Sequence, residues 1–323
     1  MAGEKGVYGL IAISLAMLFV VLIIAAAGTY FHVKLPVEFW SVSLFFLTFA
    51  IGILAPVAGV GGGVIFVPVV SAFYPFSITF VRGAGLVMAQ VNALVSVPKF
   101  LRAGLASLRI GLLAATVAGA AAIAGAKVGI WVVKAFPQGK YYIQMALGIL
   151  LLFIFAIMVT SKRVEFPEVK EMDKIAKIFN LTGAYYEPAL GRVVEYKVTR
   201  TGLALLAFAG VGFIAGMFGL GAGWANVPVL NLIMGAPIKV ATSTSMLIIA
   251  LTTTPAACVY LADGAILPLI MIPAVVGMFF GSRLGAWLTV KARPKVVRYI
   301  FLAIMLFAAI MDIYRGLHGL GYI

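Results

Sequence analysis

Two stretches of this chain match each other at a shift of 160 positions (59 to 219): GVGGGVIFVP at residues 59–68 and GLGAGWANVP at residues 219–228. Each stretch interrupts an apolar run with glycines, which allow the backbone to leave helical angles. Irregular backbone at membrane depth is tolerated only where protein or a water-filled cavity surrounds it. We therefore predict a helix interruption at residues 59–63, the first break, and another at residues 219–223, the second break, both facing a cavity.

Further matches at the same shift indicate an internal repeat. The shift pairs Gly52 with Gly212 and Gly104 with Gly264. After a small gap, two longer motifs also match: GAKVGIW at 125–131 and GSRLGAW at 281–287. We predict four regions: an additional N-terminal helix over 1–39, a first transmembrane repeat over 40–160, a polar linker over 161–200 and a second transmembrane repeat over 201–323.

The composition is that of an integral membrane protein. Hydrophobic residues make up 64% of the 323 positions and charged residues 11%, with a mean hydropathy of +1.16, whereas soluble domains carry about 25% charged residues. The apolar runs are continuous, unlike the alternating strands of a membrane barrel. We predict an all-α polytopic bundle of about nine spans, with four apolar segments in each repeat and glycine-broken first helices. The apolar segments cover residues 8–28, 40–73, 83–98, 110–133, 141–160, 201–234, 241–261, 266–289 and 297–314.

The topology of the bundle stays open at this stage. The segments 40–73 and 201–234 are too long for one straight crossing and short for two. Each is either one broken span or a span followed by a re-entrant hairpin, and the choice decides whether the repeats are parallel or inverted. Lys and Arg are spread evenly over the loops, so they do not fix the orientation. The segment 8–28 resembles a secretory signal, but its length favours a retained helix.

The charge balance suits an anionic partner. The net charge is +14, and the polar linker contributes only about +2 of it by the composition count. The excess of bases in the membrane part fits a small anionic substrate, and it equally fits the anionic headgroups of the lipid bilayer. The bases are scattered over short loops, which disfavours a nucleic-acid partner.

The helix that begins after each break is a candidate anion site, because a helix N-terminus presents free N–H groups and a positive dipole end. The alternative is that the glycines only allow close helix packing. The candidate backbone positions are Gly61, Gly62, Gly63, Gly221, Ala222 and Gly223.

Uncharged polar side chains offer hydrogen bonds that an oxyanion can accept without being held too tightly to leave. Many Ser and Thr residues in membrane helices instead bond their own backbone. The candidates are Asn226, Thr244 and Ser245 in the second repeat and Gln90 and Asn92 in the first.

Lys127 and Arg283 occupy the same repeat position inside apolar segments, where a charge needs a reason. They are candidates for fixed positive charge near an anion path, with snorkelling to the membrane surface as the alternative. Arg82 flanks a segment and is expected to be an ordinary interfacial base. Asp312 is expected to be an interfacial carboxylate, and proton coupling is the alternative.

Covalent chemistry is not expected. Neither metal-ligand spacing nor a nucleophile beside a base occurs in the sequence, so we predict no enzyme activity, no cofactor and no metal site.

Taken together, these motifs resemble the TauE/SafE sulfite exporter family. The resemblance rests on the two G-x-G-x-G-x-x-x-V-P elements, the Thr-Ser pair at 244–245, the paired glycines at 104 and 264, and the two G-x-(K/R)-x-G motifs. It implies a multi-pass carrier in a prokaryotic cell membrane that exports sulfite, sulfoacetate or a related organosulfur anion by a secondary mechanism. Gly83-Ala84-Gly85 stand where the second repeat has Ser243-Thr244-Ser245, which suggests unequal contributions from the two halves.

Two other functions remain open from the sequence. One is a passive anion channel, and the other is a membrane scaffold subunit without transport. A homo-oligomer is compatible with each of the three functions.

Overall fold

The computed structural model describes residues 37–58, 61–160, 171–187, 191–266, 268–291 and 295–322, together with positions 9, 12–14, 16 and 20. Most of the predicted N-terminal helix therefore lies outside the described residues, as do Gly59 and Val60 of the first break. Within the described part, seven helices are long and apolar enough to cross a membrane. This confirms a helical multi-pass membrane protein, whereas the count of nine spans stays a prediction.

Between residues 37 and 160, five helices precede the polar linker. They are α1 (Val37–Ala58), α2 (Gly62–Phe73), α3 (Ile78–Arg102), α4 (Leu108–Ala135) and α5 (Gly139–Thr160). A serine begins both α3 and α4: the hydroxyl oxygens of Ser77 and Ser107 accept hydrogen bonds from N–H groups of the first helical turn, which is the usual role of an N-cap.

After the linker the chain again forms one long helix, one short helix and three long helices. They are α7 (Thr201–Phe218), α8 (Gly223–Pro228) with a π-helical continuation (Val229–Ile233), α9 (Ile238–Ala262), α10 (Pro268–Lys291) and α11 (Lys295–Leu320). α3 and α9 also end alike, because Gly104 and Gly264 have φ of 67° and 70°. Such a left-handed residue lets the last turn close on itself.

The linker departs from the all-α prediction. It contains a short helix, α6 (Lys174–Ile178), and two antiparallel strands, β1 (Thr182–Glu187) and β2 (Arg192–Lys197). The strands are rich in Tyr, Val and Thr, residue types that favour extended backbone. Gly183 lies inside β1, whereas Gly191 has φ of 62° and lies in the turn region before β2.

The described part of the linker packs on the bundle rather than standing free in solvent. Lys239 of α9 forms an ion pair with Glu187 at 2.6 Å, and the Arg109 guanidinium donates to the Asn180 carbonyl at 2.9 Å. Burial raises the pKa of the Tyr196 hydroxyl above its ordinary value, while a hydrogen bond with Ser107 acts in the opposite direction. The hairpin therefore sits over the loop that joins α3 to α4.

The chain reverses direction at each break. α2 returns to the start of α1, where the hydroxyls of Tyr74 and Ser43 lie 2.6 Å apart. The π-helical continuation of α8 likewise returns to the start of α7, where Thr199 N–H donates to the Met234 carbonyl at 3.0 Å. At 12 residues, α2 is about 18 Å long, which is shorter than the roughly 30 Å hydrocarbon core of a bilayer. Each long apolar segment is thus a spanning helix followed by a short helix that folds back.

Long helices from before and after the linker pack in parallel pairs, α1 with α10 and α4 with α7. A Cβ on Gly281 would lie 2.1 Å from the Phe49 carbonyl oxygen, and a Cβ on Gly285 would lie 2.6 Å from the Ile53 carbonyl oxygen. In the other pair, a Cβ on Gly212 would lie 2.2 Å from the Ala118 carbonyl oxygen. Small residues allow this close approach of membrane helices, so the repeated glycines of α1, α4, α7 and α10 are packing residues.

α3 and α9 cross antiparallel at the centre of the bundle. Ser107, which follows α3, donates its N–H to the Thr244 hydroxyl near the start of α9 at 2.9 Å. At the opposite end, the Arg82 guanidinium lies 5.5 Å from the ring centre of Tyr260 near the end of α9. The start of each helix therefore faces the end of the other.

α5 and α11 also run antiparallel. A Cβ on Gly148 would lie 2.8 Å from the Ala309 carbonyl oxygen, and a Cβ on Gly319 would lie 2.2 Å from the Tyr141 ring. Residue numbers rise along α5 as they fall along α11, so the two helices point in opposite directions.

Candidate functional site

The two breaks touch each other inside the bundle. A Cβ on Gly63 would lie 2.7 Å from the Leu220 carbonyl oxygen in the second break. Cβ atoms on Gly61 and Gly221 would both contact Ile249 of α9, at 3.0 and 4.0 Å. The structure therefore brings the predicted backbone positions of the two halves to one place, where all of the described ones are buried.

Glycine is needed in both breaks for its backbone conformation. Gly61 has φ of 79°, and Gly219 and Gly221 both have φ of 72°. A side chain at such an angle is strained whatever space surrounds it. The predicted interruptions are present, and the alternative of unbroken helices with packed glycines is wrong for these three positions.

The short helices lead away from this contact in opposite directions. α2 begins beside Met88, in the interior of α3, and runs back toward the start of α3. α8 begins in the second break, beside Thr253 in the interior of α9, and its continuation runs back toward the start of α9. Because α3 and α9 are antiparallel, the N-terminal ends of α2 and α8 face a common centre. Two positive dipole ends therefore converge there.

Polar side chains without partners lie on the first turn of α8. Asn226 is fully buried, and neither atom of its amide finds a hydrogen-bond partner among the described residues. The indole N–H of Trp224 is likewise buried and unpartnered. A buried polar group left unpaired costs about 1–3 kcal/mol, so such groups mark places where a ligand or water supplies the missing bond.

α3 adds two more polar side chains of this kind. Asn92 lies near the first break through Met278. The Asn92 Nδ2 is 3.5 Å from the Met278 sulfur, and a Cβ on Gly62 would lie 2.8 Å from the Met278 methyl group. The Asn92 carbonyl oxygen and the Ser96 hydroxyl, one turn further along α3, have no partner in the described part of the chain. Ser96 and Trp224 escaped the sequence analysis because nothing in their local sequence distinguishes them.

Gln90 lies next to the second break and is half-buried. Its amide donates to the Thr254 hydroxyl, and Thr253, whose methyl group would lie 4.0 Å from a Cβ on Gly221, is within 3.5 Å of its oxygen. The Thr253 and Thr254 hydroxyls also donate to carbonyls of their own helix. Gln90 is therefore held in place by α9 rather than left unpaired.

Thr244 and Ser245 are fully buried, but Thr244 has a structural partner. Its hydroxyl accepts the N–H of Ser107, the residue that begins α4. Thr244 thus fixes the loop between α3 and α4. The contacts described for it do not reach either break.

Lys127 and Arg283 are exposed on the outer surface of the bundle, which differs from the expected place beside an anion path. The glycines two residues before and after each base face the partner helix, as Gly125 and Gly129 do against α7. A step of two residues turns a helix by about 200°, so the base between two such glycines points outward. This exposure favours the snorkelling interpretation.

Arg82 was expected to be an interfacial base, and this prediction is wrong because its side chain is fully buried. Its Nη1 donates to the carbonyls of Gly129 and Met217 at 3.1 and 3.0 Å, while Nε and Nη2 have no partner among the described residues. Its backbone adjoins the second break, since a Cβ on Gly219 would lie 2.1 Å from the Arg82 carbonyl oxygen. The backbone of Arg82 therefore adjoins the second break, and its buried guanidinium contacts Met217, two residues before that break.

Many polytopic membrane transporters are built from spanning helices together with short helices that end near the centre of the bundle. The comparison with protein families gives the same class: residues 44–311 match the profile described as Sulfite exporter TauE/SafE, and the chain belongs to that family.

Two relatives carry transporter names. The chain is 25% identical over 273 residues to Bacillus subtilis (strain 168) "Probable membrane transporter protein YunE", covering 82% of this chain and 94% of that protein. It is 23% identical over 279 residues to a "Probable membrane transporter protein" of Methanocaldococcus jannaschii, covering 81% of this chain and 91% of the relative. No solved structure matches the chain. The names of the family and of these relatives are those of membrane transporters rather than enzymes.

Proposed function

We propose that this protein is a secondary carrier that exports a small sulfur-containing oxyanion, such as sulfite or sulfoacetate, and that the anion binds where the two breaks meet. The observation that carries the proposal is the convergence of two helix N-termini beside buried polar groups that lack partners. Helix N-termini favour anions through their free N–H groups and dipole ends.

The arrangement of the halves supports a carrier. The predicted repeat matches α3 with α9 and α5 with α11, and both of these pairs pack antiparallel. It also matches α1 with α7 and α10 with α4, so the parallel pair α1–α10 corresponds to the parallel pair α7–α4. We infer that the halves form an inverted repeat. In transporters built this way, the substrate site lies near the midplane between the repeats, and one repeat moves against the other.

The chemistry of the meeting point suits a sulfur oxyanion. The donors that we assign to it are backbone N–H groups at the starts of α2 and α8, the Asn226 amide and the Trp224 indole. Sulfite and organosulfonates share several acceptor oxygens on one sulfur atom, which such neutral donors can bind in several directions. A neutral first set of donors also lets the anion leave again.

Arg82 supplies the fixed positive charge in this proposal, in place of Lys127 and Arg283. A charge at membrane depth is costly and marks a functional site by default. The two ion pairs described in the structure, Lys134 with Asp263 and Lys239 with Glu187, do not include Arg82. Asp263 interacts electrostatically with Arg82 but is paired with Lys134, so we propose that part of the Arg82 charge raises the potential at the second break.

The carrier proposal is tested with the purified protein in liposomes and labelled sulfite, sulfoacetate, thiosulfate and sulfate. We expect saturable exchange of at least one sulfur oxyanion and its loss in Asn226→Leu. Because Asn226 makes no hydrogen bond with the described residues, the leucine variant should keep or raise the melting temperature.

Asn231→Leu is the matched control for stability. Asn231 lies on the same short segment, but its amide donates to the Ala236 carbonyl at 2.8 Å, so its replacement should lower the melting temperature. Wild-type exchange rates in a folded Asn226→Leu variant would place the site elsewhere. Currents in a planar bilayer far above carrier turnover would replace the carrier with a channel, and the absence of any anion flux would favour a scaffold.

A further inference from the structure

A buried carboxylate lies at the far end of α2 from the breaks. Asp312 of α11 is fully buried, and its two oxygens accept hydrogen bonds from different helices. The Ser71 hydroxyl of α2 lies 3.0 Å from Oδ2, and the Gln144 amide of α5 lies 3.2 Å from Oδ1. The anion site described above does not use this group.

The charges around Asp312 do not form an ion pair with it. Arg315, one turn along α11, is the cation that faces it, but its guanidinium donates to the Ser71 carbonyl. α2 carries no ionisable side chain. The acidic residue of α1, Glu38, and the lysine of α5, Lys140, are both exposed. The described ion pairs involve other residues, so an ionised Asp312 has only hydrogen bonds and a neighbouring cation to offset its burial.

The hydrogen bonds around Asp312 can be satisfied in both protonation states. The Ser71 hydroxyl has two acceptors at 3.0 Å, Oδ2 of Asp312 and the Pro68 carbonyl of its own helix. With the carboxylate ionised, the hydroxyl donates to Oδ2. With a proton on Oδ2, the acid can donate to the Ser71 oxygen while the hydroxyl turns to Pro68 and Oδ1 still accepts from Gln144. No polar group is left unpaired by the change.

The cluster has no counterpart in the other half. The position matched to Ser71 is Asn231, whose amide is bonded to the Ala236 carbonyl. The alignment that pairs Pro137 with Pro294 places Phe155 opposite Asp312. A titratable group in one half gives the two directions of transport different chemistry.

We propose that Asp312 is a proton-binding site that couples proton movement to anion transport through α2. The proposal rests on the carrier function proposed above. α2 begins at the anion site and carries Ser71 in its last turn, so protonation of Oδ2 changes how the C-terminal end of the same helix is held. A proton from water binds Oδ2 in one arrangement of α2 and returns to water in the other, with no bond to any other atom formed or broken.

The test uses liposomes with a pH difference across the membrane, labelled sulfite and a trapped pH dye. One-for-one coupling lets a difference of about one pH unit hold a tenfold anion ratio, and we expect wild type to build such a ratio while protons move with the anion. Asp312→Asn should lose the accumulation and the proton movement but keep exchange of labelled anion at equal pH. Glu38→Gln, which removes an exposed carboxylate, should behave as wild type.

Each outcome decides one of the two proposals. Gradient-driven accumulation at the wild-type level in Asp312→Asn would overturn the coupling role. Anion exchange in wild type without any response to the pH gradient would also overturn it while leaving the carrier function intact. Wild type without anion transport would remove the carrier function itself. If Asp312→Asn fails to fold, Ser71→Ala keeps the carboxylate but removes its switching partner, and an unchanged pH dependence of uptake in that variant would contradict the proposal.

Discussion

The two halves of the molecule meet at their breaks but bring different side chains to the meeting point. In α3, Gly83-Ala84-Gly85 stand at the positions where α9 has Ser243-Thr244-Ser245. A Cβ on Gly85 would lie 2.5 Å from the Gly219 carbonyl oxygen, so the second break fills the space that a serine would need. The buried positive charge, in contrast, belongs to the first half: Arg82 of α3 is buried, and the matched residue of α9 is the half-buried Thr242. A duplicated fold can therefore keep its helix packing while dividing the chemistry between the halves.

The largest effect is expected when a residue of the second half is introduced at the matched position of the first half. Gly85→Ser places a side chain against Val67 and the backbone of the second break, at 2.1 and 2.5 Å. Overpacking of this kind costs about 1–3 kcal/mol or more, so we expect a clearly lower melting temperature in detergent and no anion exchange. Gly210→Ser is the control, since nothing described lies within 4 Å of a Cβ there. Equal melting temperatures for the two variants would contradict the close contact of the breaks.

Removing the buried charge should have the next largest effect. Arg82→Gln keeps a polar group near the Met217 carbonyl but removes the positive charge beside the second break. We expect the sulfite exchange rate to fall by roughly tenfold or more, as for the loss of about 1.4 kcal/mol of anion stabilisation, and Arg82→Lys to recover part of it. Thr242→Ala changes the matched position of the other half and should leave the rate near wild type. A neutral Arg82 variant with the wild-type rate would assign Arg82 to packing alone.

The smallest effect is expected at the two bases that share a repeat position. Lys127→Gln and Arg283→Gln change exposed side chains, and surface substitutions usually alter stability by no more than about 0.5 kcal/mol. Exchange rates and melting temperatures should stay close to wild type in both. A loss of exchange as large as that of Arg82→Gln would restore them as charges of the anion path.

Much of the membrane architecture follows from local sequence. Within the described residues from 37 onward, helices over the long apolar runs and interruptions at the two glycine stretches are present where they were predicted. Both features depend on residues close together in the chain: a run of apolar side chains long enough for a bilayer, and glycine where the backbone takes a positive φ. The β-hairpin of the linker was missed, because its short alternating strands gain stability by packing on the end of the bundle.

For the candidate site, the sequence predicted the positions of some residues correctly and those of others wrongly. Backbone positions in both breaks, together with Asn226 and Asn92, lie at or beside the meeting point, and their role in anion binding stays a prediction. Thr244 instead supports the loop before α4. Lys127 and Arg283 were expected beside the anion path because they lie within apolar runs, and run length contains no information about which side of a helix faces a neighbour.

The sequence by itself determined that this chain crosses a membrane, where two of its apolar segments are interrupted, and which family it resembles, since these depend on composition, glycine conformation and motif order. Only the tertiary structure decided that the chain folds back at each break, that the two breaks touch, and that Arg82 and Asp312 are buried while Lys127 and Arg283 are exposed. The physical reason is that a membrane helix is apolar on all sides. Hydropathy therefore cannot tell a lipid-facing position from a buried one, and the packing partners alone make that distinction.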